Sequence, residues 1–170
     1  FHTARWPKEK IDFTGKRVGV VGNGATGIQV IQTIAPDCEE LKVFIRTPQY
    51  TNAMNNPQYG PKEVEEYKSR FEWLKENLPK TFSGFEFSWQ DGDWTDNTPE
   101  ERLEVLERIY ENGSLELWLS SFKEIFFDAK INKEVSEFVR GKMKERLKDP
   151  ALCDLLIPQD YGFGLHRVPL

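Results

Sequence analysis

Six residues, Gly22-Asn23-Gly24-Ala25-Thr26-Gly27, constrain this chain more than any others. They match the pattern G-x-G-x-x-G and separate two kinds of sequence. Ahead of them runs Lys16-Arg17-Val18-Gly19-Val20-Val21, a short β-branched stretch of the sort that fills a buried parallel strand. Behind them runs Ala25 to Ala35, where Ile28, Ile31, Ile34 and Ala35 recur at helical spacing, until Pro36 stops the ladder. Leu41 to Thr47 then reads as a second strand. Strand, glycine turn, helix and strand make a β-α-β unit, whose crossover is expected to be right-handed.

In such a unit the three glycines have separate tasks. Gly22 permits the tight turn, Gly24 lets backbone N–H groups approach a pyrophosphate, and Gly27 lets helix and strand pack closely. The helix N-terminus offers unpaired N–H donors and the positive end of its dipole to an anion. The predicted dinucleotide cradle is therefore Gly22 to Gly27 with Ile28 and Gln29 on the first helical turn. The competing reading is a glycine-rich turn in some other α/β unit. An NAD site usually carries Asp or Glu at the end of the second strand to hold the ribose 2′-hydroxyl. Here that strand ends Phe44-Ile45-Arg46-Thr47. A guanidinium fork suits a 2′-phosphate, so Arg46, with Thr47 as a possible hydroxyl donor, points to NADPH; a solvated surface charge is the plain alternative.

After Pro48 the character changes. Tyr50 to Pro61 reads as loop, and Lys62 to Leu78 as a helix with Val64, Tyr67, Phe71, Leu74 and Leu78 along one side. Ser83 to Trp94 is irregular and aromatic, with Phe82, Phe85, Phe87, Trp89 and Trp94 expected to pack rather than to line a pocket. Thr98, Pro99 and Glu101 spell a capping box with proline at the first helical position, and Gly113 closes that helix. Leu115 to Phe127 is expected to be helical, Asn132 to cap the next helix, and a last short helix to run from Ala151 to Leu156. The expected organisation is residues 1–47 as a linker and the first half of a nucleotide domain, 48–159 as a helical insertion, and 160–170 as the return into the domain. The fold class is α/β, a partial Rossmann-type NADPH-binding domain with a large all-helical insertion.

Composition narrows the partners. With 23 Lys and Arg against 28 Asp and Glu, the net charge is −5, so nucleic acid is not an expected partner. Cys38 and Cys153 lie in no metal-ligand or redox spacing and read as reduced thiols in a cytoplasmic protein, and no metal site is expected. No apolar run approaches the ~20 residues of a membrane span.

One stretch stands outside this reading. His2-Thr3-Ala4-Arg5-Trp6-Pro7 has the form HxxxWP and lies just ahead of the first strand. It resembles the second half of the Baeyer–Villiger monooxygenase fingerprint, FxGxxxHxxxWP, whose leading Phe and Gly would fall before residue 1. Arg46-Thr47-Pro48-Gln49-Tyr50 is similar to the family's stretch after the second NADPH-domain strand. Tyr161 to Arg167 is similar to its return from the helical insertion.

The resemblance implies an enzyme that contains FAD, consumes NADPH and O₂, and inserts one oxygen atom beside a ketone carbonyl to give an ester or lactone. It implies that Arg167 is a cofactor-binding residue that lies near the flavin and, as the catalytic residue, stabilises negative charge developing there. His2, Trp6 and Pro7 would then belong to the linker coupling the FAD and NADPH domains. His166 stands where the family usually has a lysine that helps hold the 2′-phosphate, which would weaken discrimination against NADH. No second G-x-G-x-x-G occurs here, so the FAD domain is expected elsewhere on the same polypeptide, and the isolated chain is expected to be inactive and marginal in stability. Two alternatives remain: a related flavin-dependent N- or S-oxygenating monooxygenase, against which Trp6-Pro7 argues, and a stand-alone dinucleotide-binding module without redox chemistry.

Overall fold

The computed structural model describes residues 1–166 and Val168. Strand β1 (Arg17–Val21), helix α1 (Ala25–Ile34) and strand β2 (Glu40–Phe44) form the predicted β-α-β unit. The strands pair in parallel with Arg17 opposite Glu40 and Val21 opposite Phe44. An Arg17–Glu40 ion pair of 2.6 Å fixes that register at its start. Gly22 N–H donates to the Phe44 carbonyl at 2.9 Å, extending the pairing one residue past β1. Ile34 is buried, and Ile28 and Ile31 are half-buried. β2 is shorter than the sequence suggests: it ends at Phe44, so Arg46 and Thr47 lie in the bend beyond it.

The helices are α2 (Pro61–Ser69), α3 (Phe71–Asn77), α4 (Pro99–Asn112), α5 (Glu116–Leu119), α6 (Ala129–Arg146) and α7 (Pro150–Leu156). Three expectations need correction. Lys62 to Leu78 is two helices, because Arg70 leaves helical geometry at φ −97°, ψ 4°. The apolar side of this pair is not a core stripe either, since Val64, Tyr67 and Phe71 are exposed. Leu115 to Phe127 is not continuous. α5 stops after Leu119, where the Ser120 hydroxyl bonds back to the Glu116 carbonyl, and a 3₁₀ turn at Lys123–Phe126 follows. Asn132 does not cap α6. Asp128 does, accepting from the N–H groups of Lys130 and Ile131, and Asn132 lies inside the helix, buried.

The α4 termini match the sequence residue by residue. Thr98 Oγ1 accepts from Glu101 N–H, the Glu101 carboxylate accepts from Thr98 N–H at 2.7 Å, and Gly113 closes the helix at φ +64°.

Two compact units emerge. One comprises Phe1–Thr51 and Val139–Tyr161 with His166; the other comprises Asn52–Phe138 with Gly162–Leu165. In the second, Trp94, Leu106, Ile109, Leu117, Phe122, Ile125 and Val135 form a dense core. A buried polar network ties Gly162–Leu165 to it. Asn132 Nδ2 donates to the carbonyls of Ile125 and Phe163, Phe163 N–H donates to Ser136 Oγ, and Trp118 Nε1 donates to the Gly164 carbonyl. A Cβ on Gly162 would lie 1.7 Å from Asn132 Oδ1, so only glycine fits there. Of the aromatic group, Trp94 is buried edge-to-face against Phe122, whereas Phe82 and Phe85 are exposed.

Candidate functional site

The glycine turn does what each of its positions requires. Gly22 adopts φ +97°, which a side chain would resist. At Gly27 a Cβ would sit 2.4 Å from the Gly22 carbonyl oxygen, so helix and turn meet backbone to backbone. At Gly24 the Cβ position is open, with nothing within 4 Å. Gly24 is the N-cap of α1 and supplies no side-chain cap. The first α1 N–H groups, at Ala25, Thr26 and Gly27, have no partners among the described residues. An open approach to bare helix-terminal donors is the geometry that receives a phosphate. The turn Gly22 to Gly27 thus fits the phosphate of a dinucleotide.

Arg46 reaches this end of the unit by topology. Parallel strands finish on the same side, and Gly22 bonds to Phe44 just two residues before Arg46. The Arg46 side chain is exposed and pairs with none of the described residues. Thr47 is half-buried, its carbonyl 3.5 Å from Gln49 Nε2. His166 is exposed and packs at a tilt of 41° against the Tyr161 ring, 4.3 Å between centroids. Arg167 lies outside the described residues.

At the opposite end of the sequence order, His2 caps a 3₁₀ turn at Thr3–Arg5, its Nδ1 accepting from Ala4 N–H at 3.1 Å. That bond leaves the ring proton on Nε2. Trp6 packs at a tilt against both Phe1 and Phe13, at 6.0 and 6.4 Å between ring centres, and Pro7 is half-buried beside it in sequence. Within 1–51 the structure therefore holds the linker motif and the glycine cradle as separate local features.

Sequence reasoning missed one cluster. Tyr161 OH donates to the Pro48 carbonyl at 2.7 Å, and Tyr50 OH donates back to the Tyr161 carbonyl at 3.0 Å. The two rings meet edge-to-face, 5.4 Å apart at 89°. Arg140 of α6 donates to the carbonyls of Pro158 and Tyr161, and its guanidinium sits 5.6 Å from the Tyr50 ring centre. Tyrosines flanking the expected insertion were the only signal available. Burial raises the Tyr161 phenol above its ordinary value.

No protein-family profile matches the chain. Individual proteins do. It is 70% identical over 169 residues to acetone monooxygenase (methyl acetate-forming) of Gordonia sp. (strain TY-5), covering 99% of this chain and 32% of that protein. It is 35% identical over 176 residues to 2-oxo-Δ(3)-4,5,5-trimethylcyclopentenylacetyl-CoA monooxygenase of Pseudomonas putida, covering 100% of this chain and 32% of that protein. Among solved structures, OTEMO in complex with FAD and NADP superposes with a TM-score of 0.94 at 36% identity, over 99% of this chain and 33% of that one.

A Baeyer–Villiger monooxygenase of Pseudooceanicola batsensis is 33% identical to the chain over 162 residues, covering 94% of this chain and 29% of that protein. Oxidised steroid monooxygenase bound to NADP superposes similarly, with a TM-score of 0.89 at 32% identity, covering 99% of this chain and 32% of that one. The chain spans about a third of the length of the curated relatives it matches. Among its described residues no helix is long and apolar enough to cross a membrane, and no group of three or more His, Cys, Asp or Glu could hold a metal ion.

Proposed function

We propose that this chain is the NADPH-binding part of a cytoplasmic, FAD-dependent Baeyer–Villiger monooxygenase that converts a ketone and O₂ to an ester or lactone. The observation that carries the reading is the open glycine cradle and the unpaired Arg46 at the same end of one parallel strand pair. In this reading residues 1–47 open a Rossmann-type domain, 48–159 form its helical insertion, and 160–170 return to it. The FAD domain of the same polypeptide is the principal partner.

The outward N–H groups of Ala25, Thr26 and Gly27 bind the pyrophosphate, and Gly24 keeps the approach clear. Arg46, with Thr47, neutralises the 2′-phosphate. His166 assists more weakly than lysine would, since an imidazole reaches less far and lacks the three donors of an ammonium. Exchange of His166 for Lys is expected to raise the preference for NADPH over NADH. When bound, NADPH supplies the hydride that reduces FAD. Arg167 is assigned to stabilising negative charge near the flavin, and His2, Trp6 and Pro7 to coupling the two domains.

The test is NADPH oxidation by the full-length polypeptide carrying this chain, with acetone as probe and methyl acetate as the product sought. Ester formation that disappears in Arg167→Ala, with NADP⁺ binding retained, is the expected result. Oxygenation of amines or sulfides with no ester from any ketone would contradict it.

A further inference from the structure

We propose that Tyr50, Tyr161 and Arg140 form a positioning clamp that presets the backbone at Arg46 and Thr47 for a 2′-phosphate. The inference rests on the nucleotide site proposed above. Arg46 has no side-chain partner among the described residues, so the backbone that carries it is what limits the space its guanidinium samples. A long exposed side chain on a loose loop would lose much of its binding energy to ordering. The loop is not loose. Two residues beyond Arg46, the Pro48 carbonyl is held by Tyr161 OH at 2.7 Å, with Gln49 Oε1 3.4 Å from the same hydroxyl. Pro48 also restricts Thr47 to extended backbone.

The anchor is itself anchored. The Tyr161 carbonyl takes a bond from Tyr50 OH at 3.0 Å and a longer one from Arg140 Nη2 at 3.4 Å. Arg140 Nε fixes the Pro158 carbonyl at 2.8 Å. Tyr50 is buried, so the ring under the Arg140 guanidinium cannot drift. The two tyrosine hydroxyl bonds join residues 111 and 113 apart in sequence. His166 packs against the other side of this anchor, its ring 4.3 Å from the Tyr161 ring between centroids. A bond that merely closed the chain would affect every dinucleotide alike, whereas a bond acting through Arg46 affects only the one that carries the phosphate.

The experiment measures NADP⁺ and NAD⁺ dissociation constants in the full-length polypeptide for the wild type, Tyr161→Phe, Arg46→Ala and the double variant. Loss of one hydroxyl bond is expected to weaken NADP⁺ about three- to tenfold and NAD⁺ by less than about twofold. The double variant is expected to bind NADP⁺ no worse than Arg46→Ala alone, since both act on one contact. Tyr50→Phe keeps the buried ring, removes the other hydroxyl, and is expected to shift selectivity in the same direction if Tyr161→Phe does not fold. Equal weakening of both dinucleotides, no weakening, or full additivity in the double variant would overturn the clamp while leaving the Arg46 site intact. An unchanged NADP⁺ to NAD⁺ ratio in Arg46→Ala would instead remove the site, and the clamp's role with it.

Discussion

The strand–helix–strand unit and the helical block use their residues for opposite ends. Between Phe1 and Gln49, Ile34 is the only fully buried side chain, and Val21 and Phe44 on the sheet are 87% and 58% exposed. Between Asn52 and Phe138, a continuous apolar core surrounds buried serines and Asn132. The first region leaves backbone donors and a cation without partners. The second pairs buried Asn132 and Ser136 with each other and with the carbonyls of Ile125 and Phe163, although Asn52 Oδ1, Ser83 Oγ, Ser121 Oγ and Glu124 Oε2 are buried without a hydrogen-bond partner among the described residues. Open, unpaired groups gathered at one end of two parallel strands are what a ligand completes; a dense apolar interior is what holds a shape.

The contrast can be broken in order of expected effect. The largest belongs to the dense interior. Gly162→Ala would drive a methyl into the Asn132 amide, 1.7 Å from its oxygen, and dismantle the buried network. A loss of roughly 2–4 kcal/mol is expected, read as a lower midpoint in chemical denaturation. NADP⁺ affinity of the protein that remains folded should change by less than about twofold. If the midpoint holds and binding collapses, the two regions are not doing different work.

Next is the cradle. Gly27→Ala places a Cβ 2.4 Å from the Gly22 carbonyl, forcing helix and turn apart. Overpacking of about 1–3 kcal/mol corresponds to roughly a 5- to 150-fold loss. It should fall on NADP⁺ and NAD⁺ equally, because the pyrophosphate is common to both. A loss confined to NADP⁺ would show that the turn does not receive the pyrophosphate.

The smallest effect lies at the start of α4. Thr98→Ala removes the cap to Glu101 N–H and is expected to cost about 1 kcal/mol. The other half of the box titrates. The Thr98 backbone N–H holds the Glu101 carboxyl below its ordinary value, so its contribution is present above about pH 4.3 and fades as pH falls through the lowered value. Melting followed by far-UV circular dichroism should show a weaker acid dependence in Glu101→Gln than in the wild type. Identical acid slopes would mean the bond does not form in solution.

What was legible in the sequence follows from how local each feature is. The Thr98–Glu101 box and the Gly113 stop depend on neighbours a few residues away, and both stand where they were read. The G-x-G-x-x-G turn is equally local, and its strand–helix–strand context is present. The apolar stripe from Val64 to Leu78 misled because periodicity records a face without saying what covers it, and Arg70 breaks the run without proline or glycine to announce it. Asn132 looked like a cap because asparagine favours caps; its buried amide instead serves carbonyls at Ile125 and Phe163, a use that appears only once distant segments meet. The Tyr50–Tyr161–Arg140 cluster joins residues more than a hundred positions apart and had no local signature at all.

The central claim is that the open glycine turn and Arg46 together receive a 2′-phosphorylated dinucleotide. Calorimetric titration of the full-length polypeptide with NADP⁺ and NAD⁺, in the wild type and in Arg46→Ala, tests it most directly. The expected result is NADP⁺ binding at least about tenfold tighter than NAD⁺ in the wild type, with that margin lost in the variant and NAD⁺ affinity unchanged. Equal affinity for the two dinucleotides in the wild type, or loss of both in Arg46→Ala, would contradict it.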